Sequence, residues 1–184
     1  VENLLSVTRI TDGGASVLKK TPEAAEEVLF DAVSTSRKRY PDLQIKTVIP
    51  DEFVTAPMDP LLIKQVLLNL IENAYFHARS TKPLECTLSS TEDAIKFCIR
   101  DYGTGIAPDR LSGIFDAVPS APSSAASTVD TRKGMGIGLS ICKAIVNAHN
   151  GEITARNLTE GAEFCFTIPK EESHHETYDP NPRH

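Results

Sequence analysis

Residues 59–79 read DPLLIKQVLLNLIENAYFHAR, and this stretch decides the fold. Asp59 followed by Pro60 is a helix start, a capping carboxylate with a proline in the first turn. Ile63, Val66, Leu67, Leu70 and Ala74 then recur at i, i+3, i+4 and i+7, the spacing of an amphipathic helix from Leu61 to about Arg79. Gln65, Asn69, Glu72 and Asn73 collect on a different side. A stripe turned only to water would be rich in Lys and Glu. Two asparagines one turn apart are poor helix formers and need another reason to be there. An amide oxygen is a hard, neutral ligand that suits Mg²⁺ carrying waters and phosphates. The bland alternative is a polar pair bracing a neighbouring loop.

Downstream, two segments alternate with period two. Leu84, Cys86 and Leu88 alternate with Glu85, Thr87 and Ser89; Ile95, Phe97 and Ile99 alternate with Lys96, Cys98 and Arg100. Thr91-Glu92-Asp93 joins them, so they read as an antiparallel hairpin with one buried face. Asp101–Ile106 (DYGTGI) follows the second strand directly. A carboxylate at a strand end can accept a hydrogen bond from an exocyclic amine, and Gly103 and Gly105 let backbone approach a flat ligand. Taken alone the segment is an ordinary turn. A short helix is expected to reach Ile114-Phe115. Residues 117–132 (AVPSAPSSAASTVDTR) have no usable period and read as mobile.

Gly134–Ser140 (GMGIGLS) then opens a helix whose apolar face is Ile137, Ile141, Ala144, Ile145 and Ala148, stopped by Asn150-Gly151. Glycines before a helix N-terminus aim N–H groups at phosphate. This is neither a dinucleotide fingerprint, because Leu139 stands where the last glycine would, nor a P-loop, because no G-K-[ST] follows. A plain glycine hinge is the bland reading. A last hairpin pairs Ile153 and Ala155 with Phe164, Phe166 and Ile168.

Upstream, Thr21-Pro22 reads as the start of a helix running to about Arg39, Ile45–Ile49 as a strand, and 50–57 as a loop or broken strand. Residues 1–11 carry Val1, Leu4, Leu5 and Thr8 at helical spacing before Asp12-Gly13-Gly14. The expected domains are residues 1–14, the end of a helix plus linker; 15–170, one globular domain; and 171–184, a disordered polar tail. The fold class is α+β: a two-layer sandwich of a mostly antiparallel sheet with about three helices on one face.

Composition narrows the function. The 184 residues are 40% hydrophobic and 24% charged, with a formal net charge of −6. An acidic domain has no footprint for nucleic acid. No window reaches the roughly 18 apolar residues of a membrane span, and no leader is evident, so a soluble chain is expected, although its parent could be membrane-anchored. Cys86, Cys98, Cys142 and Cys165 form no C-x-x-C pair and read as small, reduced side chains.

The three segments are weak singly and specific together. Asp101 follows Asn73 by 28 residues (101 − 73), and Gly134 follows Asp101 by 33 (134 − 101). In this order they resemble the nucleotide-binding superfamily of gyrase, Hsp90, histidine kinases and MutL, and most closely sensor histidine kinases. NLIENA (69–74) is similar to their N box, DYGTGI (101–106) to the first glycine box, GMGIGLSI (134–141) to the second, and IFD (114–116) to a shortened F box, which makes 117–133 the ATP lid. The resemblance covers about residues 43–169. VENLL, DPLLIKQVLLNLIENA, AIVNAHNG and GAEFCFTIP are similar to Kdp-type potassium sensor kinases.

The resemblance implies roles. Asn73 holds Mg²⁺, with Asn69 beside it on phosphate or metal-bound water. Asp101 binds the adenine amine, with Gly103, Gly105 and Ile106 shaping that end. Gly134, Gly136, Gly138 and Leu139 cradle phosphates, and Lys133 with Arg132 supplies charge from the lid. Glu72 is a candidate to polarise a metal-bound water. It implies ATP and Mg²⁺ as the ligands, and γ-phosphoryl transfer to a histidine on the chain's own dimerisation domain, upstream of Val1. From there the group passes to an aspartate of a response-regulator receiver domain. A homodimeric parent with this domain in the cytoplasm is the corresponding expectation. The usual acceptor motif, His-acidic-Arg/Lys-Pro, is absent. Where the family has Lys or Arg and then an aromatic after the metal-binding Asn, this chain has Phe76 and His77, and the second F-box aromatic is missing near Val118. Those departures bear on turnover more than on binding. Arg79 or Lys133 could replace the lost cation. His77 reads first as a surface or packing residue. Two other readings stay open: an anti-sigma-factor-type serine kinase, and a non-catalytic nucleotide-sensing module.

Overall fold

The computed structural model of the chain describes residues 18–78, 80, 82–116 and 137–171. The helix expected in residues 1–11, the lid at 117–133 and the tail from 172 onward lie outside the described residues. In chain order the elements are β1 (Thr21–Ala24), α1 (Ala25–Arg39), β2 (Ile45–Val48), β3 (Thr55–Met58), α2 (Pro60–His77), β4 (Leu84–Ser90), β5 (Ala94–Arg100), α3 (Pro108–Leu111), α4 (Ile137–Ala148), β6 (Ile153–Asn157) and β7 (Ala162–Pro169).

Five strands form one sheet in the order β2-β4-β5-β7-β6, and β1 pairs with β3 in a separate two-stranded ribbon. β2 runs parallel to β4, and the other pairs of the large sheet are antiparallel. Alternation decides which face is covered. Leu84, Cys86 and Leu88, Ile95, Phe97 and Ile99, and Phe164, Phe166 and Ile168 are all buried on the helical side, where the Phe97 and Phe166 rings stack at 4.9 Å. α2 lies between α1 and α4 over this face. Its buried stripe, Ile63, Val66, Leu67, Leu70, Ile71 and Ala74, is the apolar face read from the sequence with Ile71 added.

Asp59 caps α2 through Oδ1, which accepts from the N–H groups of Leu61 and Leu62 at 3.1 and 3.2 Å. At the other end of α4, Asn150 takes φ 58° and turns the chain into β6. The two-layer α+β sandwich expected from the sequence is the observed architecture.

Three local expectations are corrected. Thr21-Pro22 opens a strand and not a helix, because Thr21 pairs with Met58 and Pro22 with Pro57. The two prolines face each other in a short ribbon where neither costs an interior ladder bond. α1 starts only at Ala25, whose N–H donates to Val54 O at 2.8 Å in place of a side-chain cap. The short helix before the F-box-like segment ends at Leu111, and Ser112–Phe115 continue as turns. Finally, the four cysteines are not all free. Cys98 and Cys165 face each other across β5 and β7 and are joined in a disulfide, whereas Cys86 and Cys142 are free and buried. Clean alternation had placed Cys98 on the open face, but the strand pairing that sets Cys165 opposite it is a long-range fact.

Candidate nucleotide-binding site

α2 is the spine of the site. Asn69 touches the start of α4: its Nδ2 donates to Gly138 O at 3.4 Å, and a Cβ on Gly138 would sit 3.9 Å from the Asn69 side chain. Nine residues further along, about 13 Å of helix, the loop after β5 presses on the helix end. A Cβ on Gly103 would stand 1.8 Å from Ala78 O, so only glycine permits the approach. Asn73 lies between these two contacts, half-buried and one turn from Asn69. Three segments distant in sequence are thus gathered along one helix.

Asp101 is 5% exposed at the end of β5. Its Oδ1 accepts from Gly103 N–H at 2.9 Å and from Ala162 N–H at 3.3 Å, and its own N–H donates to Ala162 O at 2.9 Å. Two backbone donors fix the orientation of the side chain. Both go to one oxygen, and the second remains an acceptor.

The first glycine loop is braced by a residue the sequence reading missed. Asn157 at the end of β6 brackets Ile106 with both halves of its amide: Oδ1 accepts from Ile106 N–H at 2.7 Å, and Nδ2 donates to Ile106 O at 2.7 Å. Gly105 next to it takes φ 75°, and a Cβ there would stand 2.9 Å from Asn157 Oδ1. Gly161 was missed as well. It has φ 77°, and a Cβ on it would stand 2.1 Å from Asp101 O. The signal available was the Gly161-Ala162 pair opening a strand of alternating apolar residues, which marks a turn without naming what it touches.

Other candidates fall at the margins. Glu72 Oε1 pairs with Arg39 and accepts from Tyr40 OH at 3.2 Å, which anchors the C-terminal end of α1 to α2. That pairing raises the Arg39 pKa, and burial first, then Glu72, raises that of Tyr40. Phe76 packs edge-on against Tyr40 at 5.4 Å and Tyr75 at 4.9 Å. His77 is exposed. Phe115 meets Phe164 edge-on at 6.2 Å, and Lys143 of α4 pairs with Asp116 at 2.9 Å, so the shortened F box is tied to both layers. Leu139, in the first turn of α4, is buried. Arg79, Arg132, Lys133, Gly134 and Gly136 lie outside the described residues. Two cavities are lined by none of Asn69, Asn73 and Asp101: one of about 310 Å³ lined by Phe30, Val33 and Arg37, and one of about 150 Å³ at Ala74 and Tyr75.

Comparison with known proteins agrees with this geometry. The family described as "Histidine kinase-, DNA gyrase B-, and HSP90-like ATPase" matches residues 58–172, which contain all three segments. The sensor protein KdpD of Clostridium acetobutylicum is 40% identical over 172 residues, covering 93% of this chain and 19% of its own length. The sensor protein SrrB of Staphylococcus aureus is 34% identical over 182 residues, covering 94% of this chain and 29% of its own. The solved catalytic domain of histidine kinase ThkA superposes with a TM-score of 0.68 at 25% identity, over 83% of this chain and 99% of that one. The chain therefore spans under a third of either curated relative while matching nearly the whole of an isolated catalytic domain. With its three motifs gathered on one helix and its fold shared with that domain, the chain belongs to the histidine kinase-, gyrase B- and Hsp90-like ATPase family.

Proposed function

We propose that this chain is the ATP-binding catalytic domain of a two-component sensor histidine kinase of the KdpD kind, working in the cytoplasm as part of a homodimeric, membrane-anchored parent. It passes the γ-phosphoryl group of ATP to a histidine on a dimerisation domain, and through it to a response-regulator aspartate. The observation that carries the reading is the convergence of Asn69 and Asn73, the Asp101 loop and the start of α4 along α2.

In this reading Asp101 grips the adenine amine with the carboxylate oxygen its backbone donors leave over, and Gly103, Gly105 and Ile106 shape the flat slot. Asn73, with Asn69, holds Mg²⁺. The fit is chemical: neutral amide oxygens on a half-buried helix face suit a cation that keeps its waters and leans on substrate phosphates. Bound there, the ion would neutralise phosphate charge. Gly134, Gly136, Gly138 and Leu139 offer N–H groups at the start of α4, and Lys133 supplies charge from the lid. Phosphoryl transfer asks the protein for positioning and charge neutralisation more than for bond-making. A neutral imidazole is nucleophilic without a strong base. Glu72, committed to Arg39 and Tyr40, serves better as an anchor of α2 than as a proton acceptor.

The test is titration with ATP and Mg²⁺, followed by transfer to a dimerisation domain supplied in trans. Asp101→Asn is expected to weaken ATP binding by at least about tenfold, and Asn73→Ala to remove the Mg²⁺ dependence. Wild-type affinity and transfer in both variants would sink the assignment. Binding with no transfer to any histidine would favour a nucleotide-sensing module.

A further inference from the structure

Among the described residues, the face of the sheet turned away from the helices carries chemistry that the nucleotide site does not use. One row across all five strands reads Lys46, Glu85, Arg100, Glu163, Arg156, each residue opposite the next, with charges alternating from edge to edge. Lys46 pairs with Glu85 at 3.2 Å, and Arg156 Nε donates to Glu163 at 2.7 Å. The row two residues along holds Thr87, Cys98, Cys165 and Thr154. At its centre Cys98 and Cys165 stand with Cα atoms 4.1 Å apart, the close spacing at which cross-strand side chains meet directly. Both sulfurs lie within 4.8 Å of a Glu163 carboxylate oxygen.

We propose that Cys98 and Cys165 form a reversible dithiol–disulfide site that accepts two-electron oxidants of the peroxide class. Three observations carry this. The pair sits on the polar face; Cys165 is buried, and Cys98 is half-buried, so a small oxidant reaches the pair through Cys98. β5 and β7 already pair along seven positions, so the same backbone accommodates both the bonded and the reduced pair. Cys86 and Cys142 are buried on the helical side with their thiols pushed up to about 12 by desolvation, so they do not compete.

The chemistry balances in two steps. The Cys98 thiolate attacks one peroxide oxygen and the O–O bond breaks. The sulfur becomes a sulfenic acid, and the leaving hydroxide takes up a proton to form water. Cys165 then attacks that sulfur, the S–S bond forms, the S–O bond breaks, and the hydroxide leaves as a second water carrying the Cys165 proton. Two thiols are oxidised and one peroxide is reduced. A dithiol reductant reverses the bond by exchange.

The experiment takes the whole chain, reduced and freed of reductant, and exposes it to hydrogen peroxide. Intact mass, peptide mapping and thermal unfolding are then read. The expected result is one intramolecular link, Cys98 to Cys165, with loss of two hydrogens, reversed by dithiothreitol. Cys86 and Cys142 should be alkylated only after denaturation, and the melting temperature should rise by roughly 5–10 °C on oxidation. Cys98→Ser and Cys165→Ser should each fold, form no link and lose the shift. A folded wild-type chain that forms no link, forms links through Cys86 or Cys142, or keeps its link under dithiothreitol would overturn the proposal.

Discussion

The carbonyl oxygen of Asp101 fills the space that a side chain on Gly161 would need, since a Cβ there would come within 2.1 Å of it. The turn into β7 therefore closes directly on the residue that follows β5. With φ at 77°, the position is also one that side-chain-bearing residues rarely adopt. Gly161→Ala should displace Ala162, whose N–H is one of the two donors on the Asp101 carboxylate. The expected outcome is loss of ATP affinity by at least about tenfold, together with roughly 2 kcal/mol of stability. Calorimetric titration and denaturant unfolding measure the two separately. Unchanged affinity in a destabilised but folded variant would show that the turn supports the sheet and not the site.

Asn157 makes a different case. Its amide grips both backbone groups of Ile106 at 2.7 Å from a strand that otherwise takes no part in the site. Asn157→Ala frees the loop without adding bulk. The expected effect is a weaker ATP complex, by about three- to tenfold, with a stability loss near 1 kcal/mol. Asn157→Asp keeps the Ile106 N–H acceptor and loses the donor, so it should fall between alanine and wild type. Equal affinity in all three proteins would remove Asn157 from the binding argument.

What the sequence discloses here is whatever lies within one element. The α2 face, the Asp59 cap and the β4–β5 hairpin all follow from periodicity and local turn chemistry. Asp101 was legible because glycines at short, fixed offsets announce a close backbone approach. Gly161, Asn157 and Cys165 were not, because each acts on a partner more than fifty residues away. Thr21-Pro22 misled for the same reason: its local preference for a helix start is overridden by pairing with Met58 and Pro57.

The Cys98–Cys165 bond and the Asp101 carboxylate share one strand pair. Cys98 of β5 precedes Asp101 by three residues, about 10 Å, and Asp101 N–H donates to the carbonyl of Ala162 in β7, three residues from Cys165. Locking this register should pre-organise the carboxylate. If the proposed nucleotide site is right, the oxidised chain binds ATP more tightly than the reduced one, by at least about threefold. The Cys98→Ser variant should show one affinity under both conditions. Identical affinities in oxidised and reduced wild type would separate the redox couple from the nucleotide site.

Glu72 supplies a prediction of the opposite kind. Its carboxylate is bound to Arg39 and Tyr40 across the α1–α2 junction, and Arg39 is half exposed. Such a pair contributes little once solvent screening is counted, about 0.2–1 kcal/mol. Glu72→Gln should therefore keep phosphotransfer within about threefold of wild type and shift unfolding only slightly. A drop of a hundredfold or more in transfer, with ATP affinity unchanged, would restore Glu72 as a proton acceptor.

His149 ties the far ends of α2 and α4 together and sets how the domain responds to acid. It is 2% exposed. Its Nε2 accepts from Asp59 N–H at 3.0 Å, and an N–H can only donate, so the ring proton sits on Nδ1, facing Ile145 O at 2.8 Å. Burial lowers its pKa first; the Ile145 carbonyl and Asp59 pull upward, and Lys20 adds to the lowering. The unfolded chain therefore binds this proton more readily than the folded one. The stabilising contribution is fully present above the ordinary histidine value, about 6.5, and is lost as pH falls below it and through the lower folded-state value. Protonating Nε2 removes the acceptor for the N–H of the residue that caps α2, at a cost of about 1–3 kcal/mol. Melting temperatures of wild type and His149→Gln, measured from pH 7.5 down to pH 5, should converge as the wild-type advantage disappears. Curves that stay parallel across that range would assign the acid sensitivity to another group.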